Sequence, residues 1–183
     1  MKKNQMLIAF LLLLMSTSLM AQPYITRNGY IRFYSEAPLE NIEAVNRQVN
    51  SALNPTTGEF VFRVLMRSFN FEKALMQEHF NENYVESHKY PNASFQGKVV
   101  NISEVNFSEP GVYNVKVEGS LTIKDVTREV LETGTIEVKA DEVIGKSVFI
   151  IKLADYNISI PSAVANNISE TIEITVEVAL KKS

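Results

Sequence analysis

The chain of 183 residues contains no cysteine, no tryptophan and only two histidines. Without cysteine the fold has no disulfide bonds and depends on packing alone. Positive charge is also scarce, because 18 lysines and arginines stand against 21 aspartates and glutamates, a formal net charge of −3. A nucleic-acid surface needs a basic stripe, which this chain lacks. The composition therefore predicts a protein that is held together by its core and does not bind nucleic acid.

Catalytic motifs are absent as well. The sequence has no nucleophile elbow and no glycine-rich phosphate loop. His79 and His88 have glutamates nearby (Glu78, Glu82 and Glu86), but their spacing matches no recognised set of metal ligands. We interpret both histidines as polar residues on a partly exposed connection. We predict no enzymatic activity, no catalytic residue, no bound metal and no cofactor.

Only one long apolar run occurs, from Met6 to Met15. Lys2 and Lys3 precede it and small residues up to Ala21 follow it, which is the layout of a secretory signal peptide. The run is too short to cross a membrane core, which takes about 20 residues. We predict a signal peptide at 1–21, an exported domain at 22–183, and no transmembrane segment in the mature chain.

The mature region is dominated by alternation of apolar and polar residues. From Tyr113 to Ile123 the residues of one parity are apolar or glycine, and those of the other parity are polar. Thr171 to Leu180 alternates in the same way. Because successive side chains of a strand point to opposite faces, each segment is predicted to be a strand with one buried face.

Other segments give weaker signals. Glu59 to Phe69 alternates like a strand, whereas Phe71 to Tyr84 has helix formers with apolar residues at every fourth position. Asn41 to Leu53 fits helical and extended spacing almost equally, and we interpret it as a strand. Asn28-Gly29 is typical of a two-residue hairpin turn, so we predict a turn there before a strand at 30–35.

About eight strands joined by short turns, with one helix, predict an all-β antiparallel barrel or sandwich. An eight-stranded barrel has an interior that is either filled by side chains or wide enough for one small ligand. The apolar pattern fits a filled core and a tunnel for a long hydrocarbon, and it favours the filled core slightly without separating the two.

Two segments resemble the YceI-like family. Glu78 to Phe95 (EHFNENYVESHKYPNASF) resembles the family segment that ends in an aromatic-Pro pair and an alternating strand. Val117 to Arg128 (VEGSLTIKDVTR) resembles its Gly-x-Leu-Thr-Ile-x-x-Val-Thr signature. Where the family commonly has His-Gly, this chain has Lys124-Asp125, which indicates a divergent exported member.

The resemblance implies an eight-stranded antiparallel lipocalin-like barrel with one short helix over an end. It also implies a periplasmic, non-enzymatic protein whose apolar pore holds a polyisoprenoid or other long-chain lipid. The residues expected to contact that lipid are the inward-facing apolar side chains and two from the helix. They are Phe60, Phe62, Val64, Met66, Phe80, Tyr84, Phe95, Tyr113, Val117, Leu121, Ile172 and Ile174.

One alternative from another functional class stays open at this point. The same pattern fits a solid-core structural or interaction module of the cell envelope that has no bound ligand. The two hypotheses differ in whether the barrel interior contains a cavity. Association into a homodimer is compatible with both.

Overall fold

The structure is a computed structural model that describes residues 22–183, so the predicted signal peptide lies outside the described residues. The described chain forms nine strands: β1 (Tyr24–Glu36), β2 (Asn41–Leu53), β3 (Glu59–Leu65), β4 (Asn70–Phe71), β5 (Asn92–Val99), β6 (Gly111–Ile123), β7 (Val126–Val138), β8 (Glu142–Lys152) and β9 (Thr171–Lys182). Helix α1 (Ala74–His79) continues into a π-helical turn at Phe80–Tyr84. Short 3₁₀ turns occupy Met66–Ser68, Ile102–Glu104, Leu153–Tyr156 and Ser162–Val164.

The strands form a closed antiparallel barrel. Their order is β1-β9-β8-β7-β6-β5-β3-β2, and β2 pairs again with β1 to close the sheet. The two-residue β4 lies beside β2 beyond the end of β3, with Ala44 opposite Phe71. Closure pairs each of the eight long strands with a neighbour on both sides over at least part of its length. The prediction of an all-β, eight-stranded antiparallel barrel with one short helix is therefore confirmed.

The predicted hairpin turn at Asn28-Gly29 is wrong, because β1 continues through it as a strand with a bulge. Thr26 pairs with Ser51 and Gly29 pairs with Val49, so β1 advances by three residues where β2 advances by two. The extra residue changes which parity faces inward, so Tyr24 and Ile31 are both buried. A Cβ at Gly29 would lie 2.7 Å from a methyl carbon of Val178, which explains the glycine.

A second bulge lies opposite the first and explains the ambiguous spacing in β2. Gly29 pairs with Val49 and Ile31 pairs with Asn46, so here β2 advances by three residues where β1 advances by two. The buried Asn46 side chain holds this bulge, because its amide donates to the carbonyl oxygen of Leu65 at 2.9 Å and its oxygen accepts from the backbone N–H of Gln48 at 2.8 Å. The interpretation of Asn41 to Leu53 as a strand is confirmed.

Two predicted elements are shorter than the sequence indicated. The strand predicted up to Phe69 ends at Leu65, and a 3₁₀ turn follows it. The predicted helix begins only at Ala74, because Asn70–Phe71 pairs with β2 as β4. The Lys124-Asp125 turn is present, and both residues have positive φ angles of 49° and 63°.

The two ends of the barrel differ in what covers them. The connections 37–40, 66–91 and 153–170 and the turn at 124–125 lie at one end, here called the helix end. The connections 54–58, 100–110 and 139–141 lie at the other, here called the far end. Each half of the barrel has its own cluster of buried residues, and the two halves differ in whether a cavity remains inside.

The interior of the far end is a solid core. The 100–110 connection packs against it through Val105, and Phe107 stacks on Tyr24 with ring centroids 5.8 Å apart. We call the buried residues of this cluster the far-end core: Tyr24, Leu53, Phe60, Val99, Val105, Val115, Ile136, Val138, Val143, Val178 and Leu180.

Candidate functional site

A cavity of about 450 Å³ occupies the barrel between the far-end core and the helix end. Inward-facing residues of all eight barrel strands contribute to its wall, and the wall is predominantly apolar. A concave apolar space with few polar groups is typical of a small-molecule binding site. The barrel is therefore solid at one end and hollow towards the other.

The structure brings together eleven of the twelve residues expected from the sequence to contact a ligand. Tyr113 is the exception, since it packs against the far-end core beside Gly111 and does not line the cavity. The eleven lining residues are Phe60, Phe62, Val64, Met66, Phe80, Tyr84, Phe95, Val117, Leu121, Ile172 and Ile174.

Several lining residues were missed from the sequence for identifiable reasons. Ile31 and Phe33 of β1 line the cavity; the sequence predicted their strand at 30–35, but no inward face was assigned to it. Phe149 and Ile151 of β8 also line it. Residues 148–151 are all apolar, so the sequence did not show which of them face inward. In the structure Val148 and Ile150 point outward and are exposed.

Aromatic rings line two levels of the cavity. Near the helix end Phe33, Phe69, Phe71 and Phe80 form one cluster, with ring centroids 5.1–5.7 Å apart. Deeper in the barrel, the rings of Phe60 and Phe62 are 4.6 Å apart, and Phe95 lies edge-on to Phe62 at 6.1 Å. Such rings offer broad apolar contact to a hydrocarbon.

Space for the deeper rings depends on a pair of facing glycines. Gly97 of β5 lies opposite Gly119 of β6, the glycine of the resemblance motif. A Cβ on Gly97 would lie 2.1 Å from the carbonyl oxygen of Glu118 and 2.5 Å from the Phe95 ring. The two strands approach closely there because neither residue carries a side chain.

The helix end is held in place by ion pairs with the surrounding turns. Glu86, after the π-helical turn, contacts Lys124 at 3.0 Å and Lys89 at 2.5 Å. Hydrogen bonds from Lys89 and Lys124 lower the pKa of Glu86 from its ordinary value of 4.5 to about 2. On the opposite side Lys73, just before α1, contacts Glu40 at 2.5 Å. Both sides of the helical connection are therefore tied to barrel turns.

The helical connection contributes its predicted face to the cavity. Met76, Phe80 and Tyr84 all line it, as their four-residue spacing indicated. Burial raises the pKa of the Tyr84 hydroxyl. His79 lies at the exposed rim of the cavity, and within residues 22–183 no group of three or more His, Cys, Asp or Glu side chains could hold a metal ion.

Few polar side chains line the cavity, and several are already engaged. Ser35 accepts a hydrogen bond from the Ser169 N–H at 2.9 Å, and Ser147 donates to the Thr133 carbonyl oxygen at 2.7 Å. Glu132 also lines the wall, and burial raises its pKa. The arrangement supports burial of an apolar chain, with few fixed polar contacts.

A family model described as "YceI-like domain" matches residues 32–180. No curated protein sequence matches the chain significantly. Within the described part of the chain, no helix is long and apolar enough to span a membrane.

Solved structures share the fold at low sequence identity. A polyisoprenoid binding domain from Saccharophagus degradans, implicated in plant cell wall breakdown, aligns with a TM-score of 0.77 and 15% identity, covering 89% of this chain and 99% of that one. Burkholderia cenocepacia BcnA aligns with a TM-score of 0.67 and 15% identity, covering 82% and 95%. A Campylobacter jejuni YceI protein aligns with a TM-score of 0.58 and 16% identity, covering 75% and 83%. At these identities the likeness shows the fold alone.

Proposed function

This chain belongs to the YceI-like domain family, and we propose that it is an exported, non-enzymatic binding protein that holds a polyisoprenoid or similar long-chain lipid in the barrel cavity. The observation that carries the proposal is the cavity of about 450 Å³ with its predominantly apolar wall. The neighbour named as a polyisoprenoid binding domain supports the same ligand class. The leader pattern at 1–21 supports export, and the periplasm as the destination follows from membership of the family.

The energetics favour a long hydrocarbon over a polar metabolite. Each methylene group moved out of water contributes roughly 0.8 kcal/mol, so a few isoprene units supply tight binding without any charged contact. A polar ligand would leave many of its hydrogen bonds unmade against this wall, which costs free energy. The cavity also supports the binding hypothesis over the solid-core module, which requires no internal space.

Native mass spectrometry of freshly purified protein, followed by lipid extraction, tests the proposal. We expect a bound long-chain lipid that is released on unfolding. Val117→Phe places a larger side chain in the cavity, and we expect this variant to fold but retain much less lipid. Val112→Phe is the matched control, because Val112 lies on the same strand but is 68% exposed at the far end.

Two outcomes would contradict the proposal. The first is repeated recovery of the wild-type protein without lipid, even after incubation with a prenyl alcohol. The second is equal lipid retention by Val117→Phe and the wild type, which would place the lipid outside the cavity.

A further inference from the structure

The barrel wall is incomplete between β7 and β8. These strands share only five pairs, from Gly134 opposite Ser147 to Val138 opposite Val143. By contrast β6 and β7 share thirteen pairs, and β8 and β9 share eleven. Towards the helix end, residues 129–133 of β7 and 148–152 of β8 therefore have a partner strand on one side only.

The unpaired stretch, here called the seam, borders the cavity. Where the pairing stops, the cavity is lined by Gly134 and Ser147, which face inward, and also by Thr135 and Lys146, which face outward. Because no ladder hydrogen bonds join β7 to β8 along the seam, the wall can separate here more easily than between the fully paired strands.

At the helix end, the seam ends at the 3₁₀ turn Leu153–Tyr156. Arg128 of β7 donates a hydrogen bond to the carbonyl oxygen of Asp155 at 2.9 Å, and Tyr156 is buried beneath the turn. Five strand residues separate this contact from the last β7–β8 pair. At roughly 3.3 Å per residue the seam is about 16 Å long.

Apolar side chains flank the seam on the outside. Leu131 on β7 is 64% exposed, and Val148 and Ile150 on β8 are 58% and 65% exposed. Single exposed apolar residues are ordinary, but neighbouring ones on one surface mark contact sites. Extending the register of the β7–β8 pairs places Leu131 and Ile150 on opposite sides of the seam, which fits the passage of a hydrocarbon chain.

Glu132 is the acidic side chain of the seam that faces the cavity, whereas Glu129 faces outward and accepts a hydrogen bond from Ser120. Glu132 lies opposite Val117, and among the described residues it has neither an ion-pair partner nor a side-chain hydrogen bond. The other charged residues of the cavity wall differ, because Glu40 contacts Lys73 and Lys146 contacts Glu177 at 3.5 Å. A carboxyl group in an apolar wall without a partner is costly, and a ligand group that bonds to it removes that cost.

We propose that the seam is a side entrance of the cavity and that Glu132 holds the polar head group of the lipid there. The head group is uncharged and donates a hydrogen bond, as a primary alcohol or an amide does. The inference rests on the proposed function and adds the head-group class and its position. The apolar tail then extends towards the phenylalanine cluster of the helix end.

Head-group selection follows from the charge of Glu132. An alcohol or amide donates to the carboxylate and can accept from the protonated acid, so it pairs with either form. A phosphate brings a second negative charge beside the first, and like charges in a partly buried site repel each other. The site therefore selects a prenyl alcohol over its phosphate.

Binding of geranylgeraniol and of geranylgeranyl monophosphate to the mature protein tests the selection. We expect the wild type to prefer the alcohol by about tenfold or more, in line with a hydrogen bond to a charged group. Glu132→Gln keeps hydrogen bonding but removes the charge, so the preference should fall towards one. Glu132→Lys should reverse it. Glu129→Gln, on the outward face of the same strand, is the control and should keep the wild-type preference.

The outcomes separate this inference from the function on which it rests. If the wild type binds both lipids equally, or if Glu132→Gln leaves the preference unchanged, the role of Glu132 is wrong while lipid binding stands. If the wild type binds neither lipid, the proposed function itself fails.

Single cysteines test the side entrance, because the natural chain has none. Val148→Cys beside the seam, Leu75→Cys on α1 and Val112→Cys at the far end are all exposed positions, and each is modified with a bulky maleimide. The readout is the rate at which bound geranylgeraniol passes to phosphatidylcholine vesicles. We expect modification at Val148 to slow transfer several-fold and the other two to leave it unchanged. Slower transfer on modification at Leu75 alone would place the entrance at the helix end.

Discussion

The two ends of the barrel use the same strands but pack them differently. At the far end, inward residues such as Leu180, Val143 and Ile136 are almost completely buried against one another. Six residues earlier on β9, Ile174 faces the same interior yet lines a cavity. One strand thus contributes to a solid core at one end and to a hollow at the other.

The difference arises from what the connections insert into the barrel. At the far end the 100–110 connection adds Val105 to the core and places Phe107 over Tyr24. At the helix end the longer connections 66–91 and 153–170 contribute to the cavity wall without filling the cavity, the first with aromatic side chains and the second with aliphatic ones. The far-end core therefore supplies much of the stability, and the hollow is free to serve binding.

The largest expected effect comes from breaking the far-end core. Leu180→Ala removes a fully buried side chain and should lower the free energy of unfolding by about 2–5 kcal/mol, as measured by urea denaturation. Leu131→Ala, on the exposed outer face of β7, is the control and should change stability by about 0.5 kcal/mol or less. Equal effects of the two substitutions would show that the far end is not a tightly packed core.

An intermediate effect is expected from the equivalent change in the hollow. Ile174 lies on the same strand as Leu180 but faces the cavity, so its truncation removes fewer contacts. Ile174→Ala should therefore lower the free energy of unfolding of the ligand-free protein by clearly less than Leu180→Ala does. Lipid retention should fall, because part of the apolar wall is removed. Urea denaturation of delipidated protein, together with lipid extraction, measures both. A stability loss as large as that of Leu180→Ala would mean that this region is packed as solidly as the far end.

The smallest effect is expected from the ion pairs that hold the helix end. The folded-state pKa of Glu86 is about 2, below its ordinary value of 4.5, so between these values the unfolded chain binds more protons. The contribution of Glu86 to stability is therefore present above pH 4.5 and is lost as the pH falls towards 2. Glu86→Gln should flatten the acid side of the stability profile while leaving the far-end core intact.

Lys124→Ala provides a second check on the same contact. It removes the 3.0 Å ion pair between the β6–β7 turn and the helical connection, and unfolding by urea near pH 7 should change little. Because the proposed route of the lipid is the seam, transfer of bound lipid to vesicles should keep the wild-type rate. Faster transfer would place the exit of the lipid at the helix end.

Most strands and much of the cavity wall were predictable from local pattern. Alternation identified β3, β6 and β9, and with them Val117, Leu121 and Ile174. The four-residue spacing identified Phe80 and Tyr84. These predictions depend only on the periods of strand and helix, which each segment carries in its own sequence.

Other features could not be predicted from the sequence because they depend on how a strand pairs with its neighbour. The bulges at Gly29 and Asn46 exist only in the pairing of β1 with β2, and each reverses the inward parity along its strand. Tyr113 has the parity of a lining residue but lies too near the far end to reach the cavity. Phe149 and Ile151 could not be told from Val148 and Ile150 until β9 fixed which face of β8 points inward.

The sequence by itself determined most of the strands, the approximate place of helix α1, and that one face of most strands is apolar. Only the tertiary structure decided that the interior is solid around Leu180 and hollow around Ile174, and that β7 and β8 separate beside Glu132. The physical reason is that alternation is a local property of the backbone. A cavity and an opening depend on how far two distant strands stay paired and on which connection fills the space between them.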